Sequence, residues 1–175
     1  MSKLIISIGL PGSGKTCILK SFAERYGYEY TGVDQVKESY GLSRNNTATE
    51  REWDDMRQQI VESAKNNKTL VVDVSFLMAT SLRQRFIAFA RENGVTKIQG
   101  LFVDTPAELA WKRAESRKVR ISRAAFDNKL TILKSLPPDI NDGFDSLFTT
   151  DECGKLVRSE MAYRPREFQR EKLVA

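Results

Sequence analysis

The residues best suited to chemistry stand together near the start of the chain. Gly9-Leu10-Pro11-Gly12-Ser13-Gly14-Lys15-Thr16 matches G-x-x-x-x-G-K-[ST] without a gap. Residues of these types at this spacing cradle phosphate. Glycines at 9, 12 and 14 let the backbone turn tightly and bring its N–H groups close to phosphate oxygens, where a Cβ would obstruct them. Lys15 supplies a point charge to the β- and γ-phosphates, and Thr16 offers a hydroxyl to Mg²⁺. The helix that begins here points its positive end at the same anion. The expected nucleotide contacts are therefore Gly9, Pro11, Gly12, Ser13, Gly14, Lys15, Thr16 and Cys17. A glycine-rich turn that binds nothing would read the same way in isolation. The setting, between the apolar strand Leu4–Ile8 and an amphipathic helix, favours the phosphate reading.

Two aspartates follow at the ends of apolar runs. Tyr28 to Val33 is expected to form a second strand ending at Asp34. In open parallel sheets the residues just beyond the strands' carboxyl ends line the ligand crevice. A carboxylate there could accept the proton of an attacking hydroxyl; alternatively, Asp34 caps a helix from Gln35 to Tyr40. Thr69-Leu70-Val71-Val72-Asp73 resembles a Walker B element, whose carboxylate holds Mg²⁺ through water.

The third candidate group is basic. Between Lys112 and Arg120, five cations (Lys112, Arg113, Arg117, Lys118 and Arg120) fall in nine residues. Such a run is either a solvated helix C-terminus or a lid that folds over phosphates and neutralises charge as a phosphoryl group moves. The order helix, basic turn, helix favours a lid function for at least one arginine.

Composition narrows the chemistry further. The chain has no histidine, which excludes His-ligated metals and an imidazole base and leaves proton transfer to a carboxylate. A net charge of +5 is compatible with an anionic partner, nucleic acid included, and equally with a scattered positive surface. Cys17 and Cys153 read as isolated thiols. With 175 residues, 41% hydrophobic and 29% charged, one α/β domain is expected over 1–150, with a tail over 151–175 packed on it or extending from it. No apolar run approaches the roughly 18 residues that span a bilayer, and Met1-Ser2-Lys3 leads straight into the first strand. A cytoplasmic protein with no membrane partner is expected, in the host cytoplasm if the chain is phage-encoded.

The elements that must position these groups follow from periodicity. Lys15 to Tyr26 reads as a helix with Ile18, Leu19, Phe22 and Ala23 on one face, closed by Gly27. Thr47-Ala48-Thr49-Glu50 reads as a capping box opening a helix to about Lys65. Its core face is Trp53, Met56, Ile60 and Ala64, and its solvated face includes Glu50, Arg51, Glu52, Asp54, Asp55 and Arg57. Thr80 to Asn93 is expected to bury Leu82, Phe86 and Phe89, and Lys97 to Val103 to form a fourth strand. Thr105 is expected to cap the next helix, with Pro106 at its first position and Glu108 completing the box. Ser122 starts another helix with Phe126, Leu130 and Leu133 inward, and Phe144 to Thr150 is a fifth strand. The tail beyond Asp151, with Tyr163 and Phe168 among its charges, reads as a helix or as frayed chain. Strand alternating with helix implies right-handed crossovers. The expected fold is a three-layer α/β P-loop NTPase with a parallel sheet of about five strands and a helical lid near 112–124.

Met1 to Thr16, Val33-Asp34, Val72-Asp73 and the run Val103 to Arg117 together resemble the kinase domain of phage 5′-hydroxyl polynucleotide kinases, within the zeta-toxin-like and AAA_33 group of P-loop kinases. The resemblance covers most of residues 1–150. It implies an ATP- or GTP- and Mg²⁺-dependent phosphotransferase acting on a hydroxyl, foremost the 5′ end of a polynucleotide. By this resemblance Asp34 is the general base. Lys37 stands where the family has an arginine on the substrate phosphate, and Arg117 is the lid arginine on the γ-phosphate, assisted by Arg113 or Arg120. Asp73 orders the site from the third strand. Val33 replaces the family's arginine before the catalytic aspartate, and Val74-Ser75 replaces its threonine and asparagine. A small-molecule or nucleotide kinase and a nucleotide-dependent regulatory ATPase are the alternatives.

Overall fold

A computed structural model describes residues 1–43, 47–117 and 121–162. Its centre is a six-stranded sheet in the order β2-β3-β1-β4-β5-β6. The strands are β1 (Lys3–Ile8), β2 (Glu29–Gly32), β3 (Thr69–Asp73), β4 (Lys97–Val103), β5 (Ser146–Thr150) and β6 (Leu156–Met161). The first five run parallel, and β6 is antiparallel to β5. The helices are α1 (Lys15–Tyr26), α2 (Val33–Ser39), α3 (Glu50–Lys65), α4 (Thr80–Glu92), α5 (Ala107–Glu115) and α6 (Arg123–Ser135), with a 3-10 turn at Ile140–Asp142.

Burial on both faces explains the central strands. Leu4, Ile6 and Ile8 of β1 enter the larger core with Met56, Ile60, Phe86, Ala90 and Phe126, whereas Ile5 joins Leu19, Ala23 and Val71 on the face covered by α1. A strand covered on both sides reads as an unbroken apolar run, as β1 and β3 do. Because β1 pairs with β3 on one side and β4 on the other, successive connections leave it in opposite directions. The crevice at such a switch point lies at the strands' carboxyl ends, where the glycine-rich turn and Asp73 stand side by side.

Several elements fall where periodicity put them. The bounds of α1, β3 and β4 agree with expectation, Gly27 closes α1 in the left-handed conformation (φ 64°), and the Ser122 hydroxyl caps α6 by accepting from Ala125 N–H. Others shift. The capping box of α3 is Thr49 with Glu52, not Thr47 with Glu50. Both pairs have the right spacing, but Glu52 is buried and its carboxylate accepts from both the Thr49 N–H and hydroxyl, which removes it from the solvated face. In α4 Leu82 is exposed, and the neighbouring Arg83 is fully buried in its place. Arg83 Nε donates to Asp142 Oδ2 at 2.6 Å, and its other N–H groups reach the carbonyls of Leu77, Met78, Leu136 and Pro137. So many partners make burying a guanidinium tolerable.

Thr105 does not cap α5. Pro106 occupies the cap position, and the Thr105 hydroxyl instead donates to the Ser13 carbonyl at 2.9 Å. The sixth strand was not expected: Leu156–Met161 is a largely exposed edge strand, so it carries no burial alternation to read. Tyr163 and Phe168 lie outside the described residues. Among the described residues no helix is long and apolar enough to cross a membrane.

Candidate active site

The turn after β1 takes left-handed backbone at three glycines, with φ of 147° at Gly9, 83° at Gly12 and 98° at Gly14. Its compactness has a second cause besides room for phosphate. A Cβ on Gly12 would lie 2.0 Å from the Ala110 carbonyl oxygen, and one on Gly9 would lie 2.8 Å from that of Val103. The loop is thus seated directly on α5 and the end of β4, with Thr105 fastening its underside.

Lys15 is buried, and its Nζ donates to the carbonyls of Gly9 at 2.7 Å and Leu10 at 2.8 Å. Burial pushes its ammonium pKa down to about 8; nearby Asp73 opposes this shift, while the charges of Arg117 and Lys129 add to it. The Ser13 hydroxyl is buried with no hydrogen-bond partner. It is a spare polar group inside a cradle shaped for oxygen-rich ligands.

Asp73 gathers three hydroxyls. Thr16 Oγ1 donates to its Oδ2 at 2.5 Å, Tyr30 to the same oxygen at 3.1 Å, and Ser7 to Oδ1 at 3.1 Å. Mg²⁺ favours this kind of donor set, one or two hard protein oxygens completed by phosphates and water. Thr16 and Asp73 fit that role together. Among the described residues no group of three or more His, Cys, Asp or Glu could hold a metal unaided.

Asp34 sits in the first turn of α2, behind the cap residue Gly32, so it does not cap that helix. Its Oδ1 lies 2.8 Å from Lys37 Nζ; the carboxylate side is 59% exposed and the lysine side 6%. Gly32 fixes the distance to the third strand. It pairs with Asp73, and a Cβ there would meet the Asp73 carbonyl oxygen at 2.6 Å, so α2 starts hard against the end of β3.

A single cleft of about 780 Å³ joins these groups. Pro11, Gly12, Gly14, Lys15, Thr16 and Cys17 line one part of it, and Asp34, Lys37, Asp73 and Arg117 line the rest. Gly9, Ser13 and Arg113 are not among its walls. Arg120 lies outside the described residues.

Sequence reasoning missed several cleft residues: Tyr30, Lys20, Trp53 and Lys129 line it as well. Tyr30 stands two residues before Gly32, and period-2 spacing could have carried it toward the crevice. Trp53 was read as core only; its ring meets Phe76 edge-on at 5.0 Å while also walling the cleft. Lys129 lies three residues after Phe126, hence beside the inward face of its helix.

The sheet order, the crevice and the phosphate-binding turn define an α/β P-loop NTPase-like fold. The chain belongs to the AAA_33 family, whose model, described as an AAA domain, matches residues 4–135. That membership implies nucleotide binding. Among solved structures, a sugar kinase from Janibacter sp. HTCC2649 is 21% identical with a TM-score of 0.59, the match covering 87% of each chain. A gluconokinase from Sinorhizobium meliloti 1021 is 20% identical, TM-score 0.54, over 85% of this chain and 82% of that one. A chain in the Pnkp1/Rnl/Hen1 RNA repair complex is 19% identical, TM-score 0.67, over 95% of this chain and 50% of that one. At such identities the likeness is one of fold. No curated protein gives a significant match.

Proposed function

We propose that this protein is a P-loop kinase that moves the γ-phosphoryl group of ATP or GTP to a hydroxyl, foremost the 5′-hydroxyl end of a polynucleotide. One observation carries the reading: the exposed Asp34 carboxylate and the phosphate loop line the same cleft, whose volume accommodates a triphosphate and an acceptor together. The loop amides and Lys15 hold the β- and γ-phosphates. Asp34 takes the proton of the acceptor hydroxyl as its oxygen attacks the γ-phosphorus, and the bond to the bridging oxygen breaks to release the nucleoside diphosphate. Lys37, tied to Asp34, is placed to meet a phosphate of the acceptor. Arg117 brings positive charge from the end of α5. Mg²⁺ held by Thr16 and, through water, Asp73 would neutralise phosphate charge.

A kinase region over 1–150 with a lid near 112–124 belongs to this proposal. The test is incubation with γ-labelled ATP and a panel of 5′-hydroxyl oligonucleotides, nucleosides, nucleoside monophosphates and sugars. Label on the oligonucleotide end is the expected result. Label only on a sugar or nucleoside would make the protein a small-molecule kinase. Phosphate released to water with every acceptor unlabelled would favour a regulatory ATPase.

A further inference from the structure

Lys129 lines the cleft from α6, and the mechanism above leaves its charge unused. It is half-buried, and its Nζ reaches the Ser75 carbonyl at a long 3.4 Å. Among the described residues no carboxylate lies within salt-bridge distance of it. Its neighbours are better matched: Lys37 has Asp34, Arg83 has Asp142, and Lys15 has two close carbonyls. A cation held partly out of water without a counter-charge costs free energy. The cost is recovered where an anion comes to meet it. The position of that anion is marked by Lys15, which feels the charges of Arg117 and Lys129 together. Three cations from three elements thus converge on one region.

We propose that Lys129 is a catalytic residue whose ammonium binds the oxygens of the γ-phosphoryl group as it is transferred. The inference rests on the phosphoryl-transfer reading and deepens it. In the step, the bond from phosphorus to the bridging oxygen breaks, the bond to the acceptor oxygen forms, and the acceptor's proton passes to Asp34. Lys129 donates hydrogen bonds to the non-bridging oxygens throughout and changes no bond of its own. Its helix is well anchored for the purpose. The Arg83 guanidinium holds the Leu136 and Pro137 carbonyls just past the end of α6 and the Leu77 and Met78 carbonyls in the loop that also carries Ser75. Lys129 is therefore fixed in advance, as a charge-stabilising group in a transition state must be.

The test compares Lys129→Met and Lys129→Arg with the wild type in the full chain, with Lys129→Gln replacing the methionine variant if that fails to fold. ADP affinity, affinity for ADP with Mg²⁺ and aluminium fluoride (a planar mimic of the moving phosphoryl group), and the rate of label transfer are measured. Lys129→Met is expected to leave ADP affinity within about twofold while lowering mimic affinity and transfer rate on the order of a hundredfold. Lys129→Arg should restore about a tenth or more of the wild-type values. A folded Lys129→Met that binds the mimic as the wild type does would overturn the assignment, as would a wild type that does not bind the mimic at all. Mimic binding that depends on Lys129, in a wild type that labels no acceptor, would remove the acceptor reading and keep this one. Label transfer unaffected by Lys129→Met would do the reverse.

Discussion

Thr16 Oγ1 donates to Asp73 Oδ2 across 2.5 Å, which makes the hydroxyl at the start of α1 and the carboxylate at the end of β3 a single polar unit. Asp73→Asn keeps the shape of that unit and removes its charge. Nucleotide affinity measured without Mg²⁺ should change less than about threefold, because the loop amides and Lys15 are untouched. The gain in affinity on adding Mg²⁺ should fall by about tenfold or more, in keeping with the loss of an outer metal partner. Titration of nucleotide with and without the metal measures both. An undiminished gain from Mg²⁺ in the variant would remove Asp73 from the metal's surroundings.

Asp34 stands apart from the phosphates on the acceptor side. Asp34→Asn should lower transfer to the acceptor by about a hundredfold to ten-thousandfold, the usual contribution of a positioned base, and leave nucleotide affinity within about twofold. Steady-state rates beside direct nucleotide titration separate the two effects. Full activity in the variant would reject the base assignment.

The lowered pKa of Lys15, about 8 against 10.5 in the unfolded chain, has two consequences. Between those values the folded protein has released a proton that the unfolded chain keeps, so this group makes the ligand-free protein more stable as pH rises through the window. Phosphate binding requires the ammonium, so nucleotide affinity should weaken as pH climbs above about 8, approaching tenfold per pH unit for a single required proton. Calorimetry at pH 9 in two buffers of different ionisation heat should show close to one proton taken up per nucleotide bound. Binding at pH 9 without proton uptake would contradict the account.

Arg83 and Asp142 form a fully buried pair joining α4 to the 3-10 turn. Asp142→Asn strands the guanidinium without its counter-charge, and about 3–5 kcal/mol of stability should be lost in urea denaturation. Arg83→Met combined with Asp142→Leu should recover part of that loss. Recovery stays incomplete because the carbonyls of Leu77, Met78, Leu136 and Pro137 lose their donor. A single variant as stable as the wild type would show that the pair is dispensable.

The contrast between α1 and α4 shows how far the chain could be read before its fold was known. In α1 the inward residues Leu19 and Ala23 are apolar, and Gly27 takes the backbone twist that ends the helix, so local rules suffice. In α4 the inward position belongs to Arg83, whose partners lie 53 to 59 residues further along the chain, and no local pattern distinguishes it from a surface arginine. Thr105 is a similar case. Its short-range context spells a helix cap, but a carbonyl 92 residues earlier in the chain competes for the hydroxyl and wins. The phosphate loop, Asp34 and Asp73 were legible because glycine spacing and acids at strand ends are short-range signals. Lys129 and Tyr30 reach the same cleft only through tertiary packing, and the exposed strand β6 has no buried face to announce it.

The seating of Gly12 against Ala110 governs how the basic turn can travel. With the loop pressed on that helix and Thr105 bolting the two together from beneath, α5 cannot swing from its root without prising apart the cradle. Closure over a nucleotide must therefore be a bending of the chain past Ala114, with the first turns of α5 as fixed masonry and Arg117 as the part that swings.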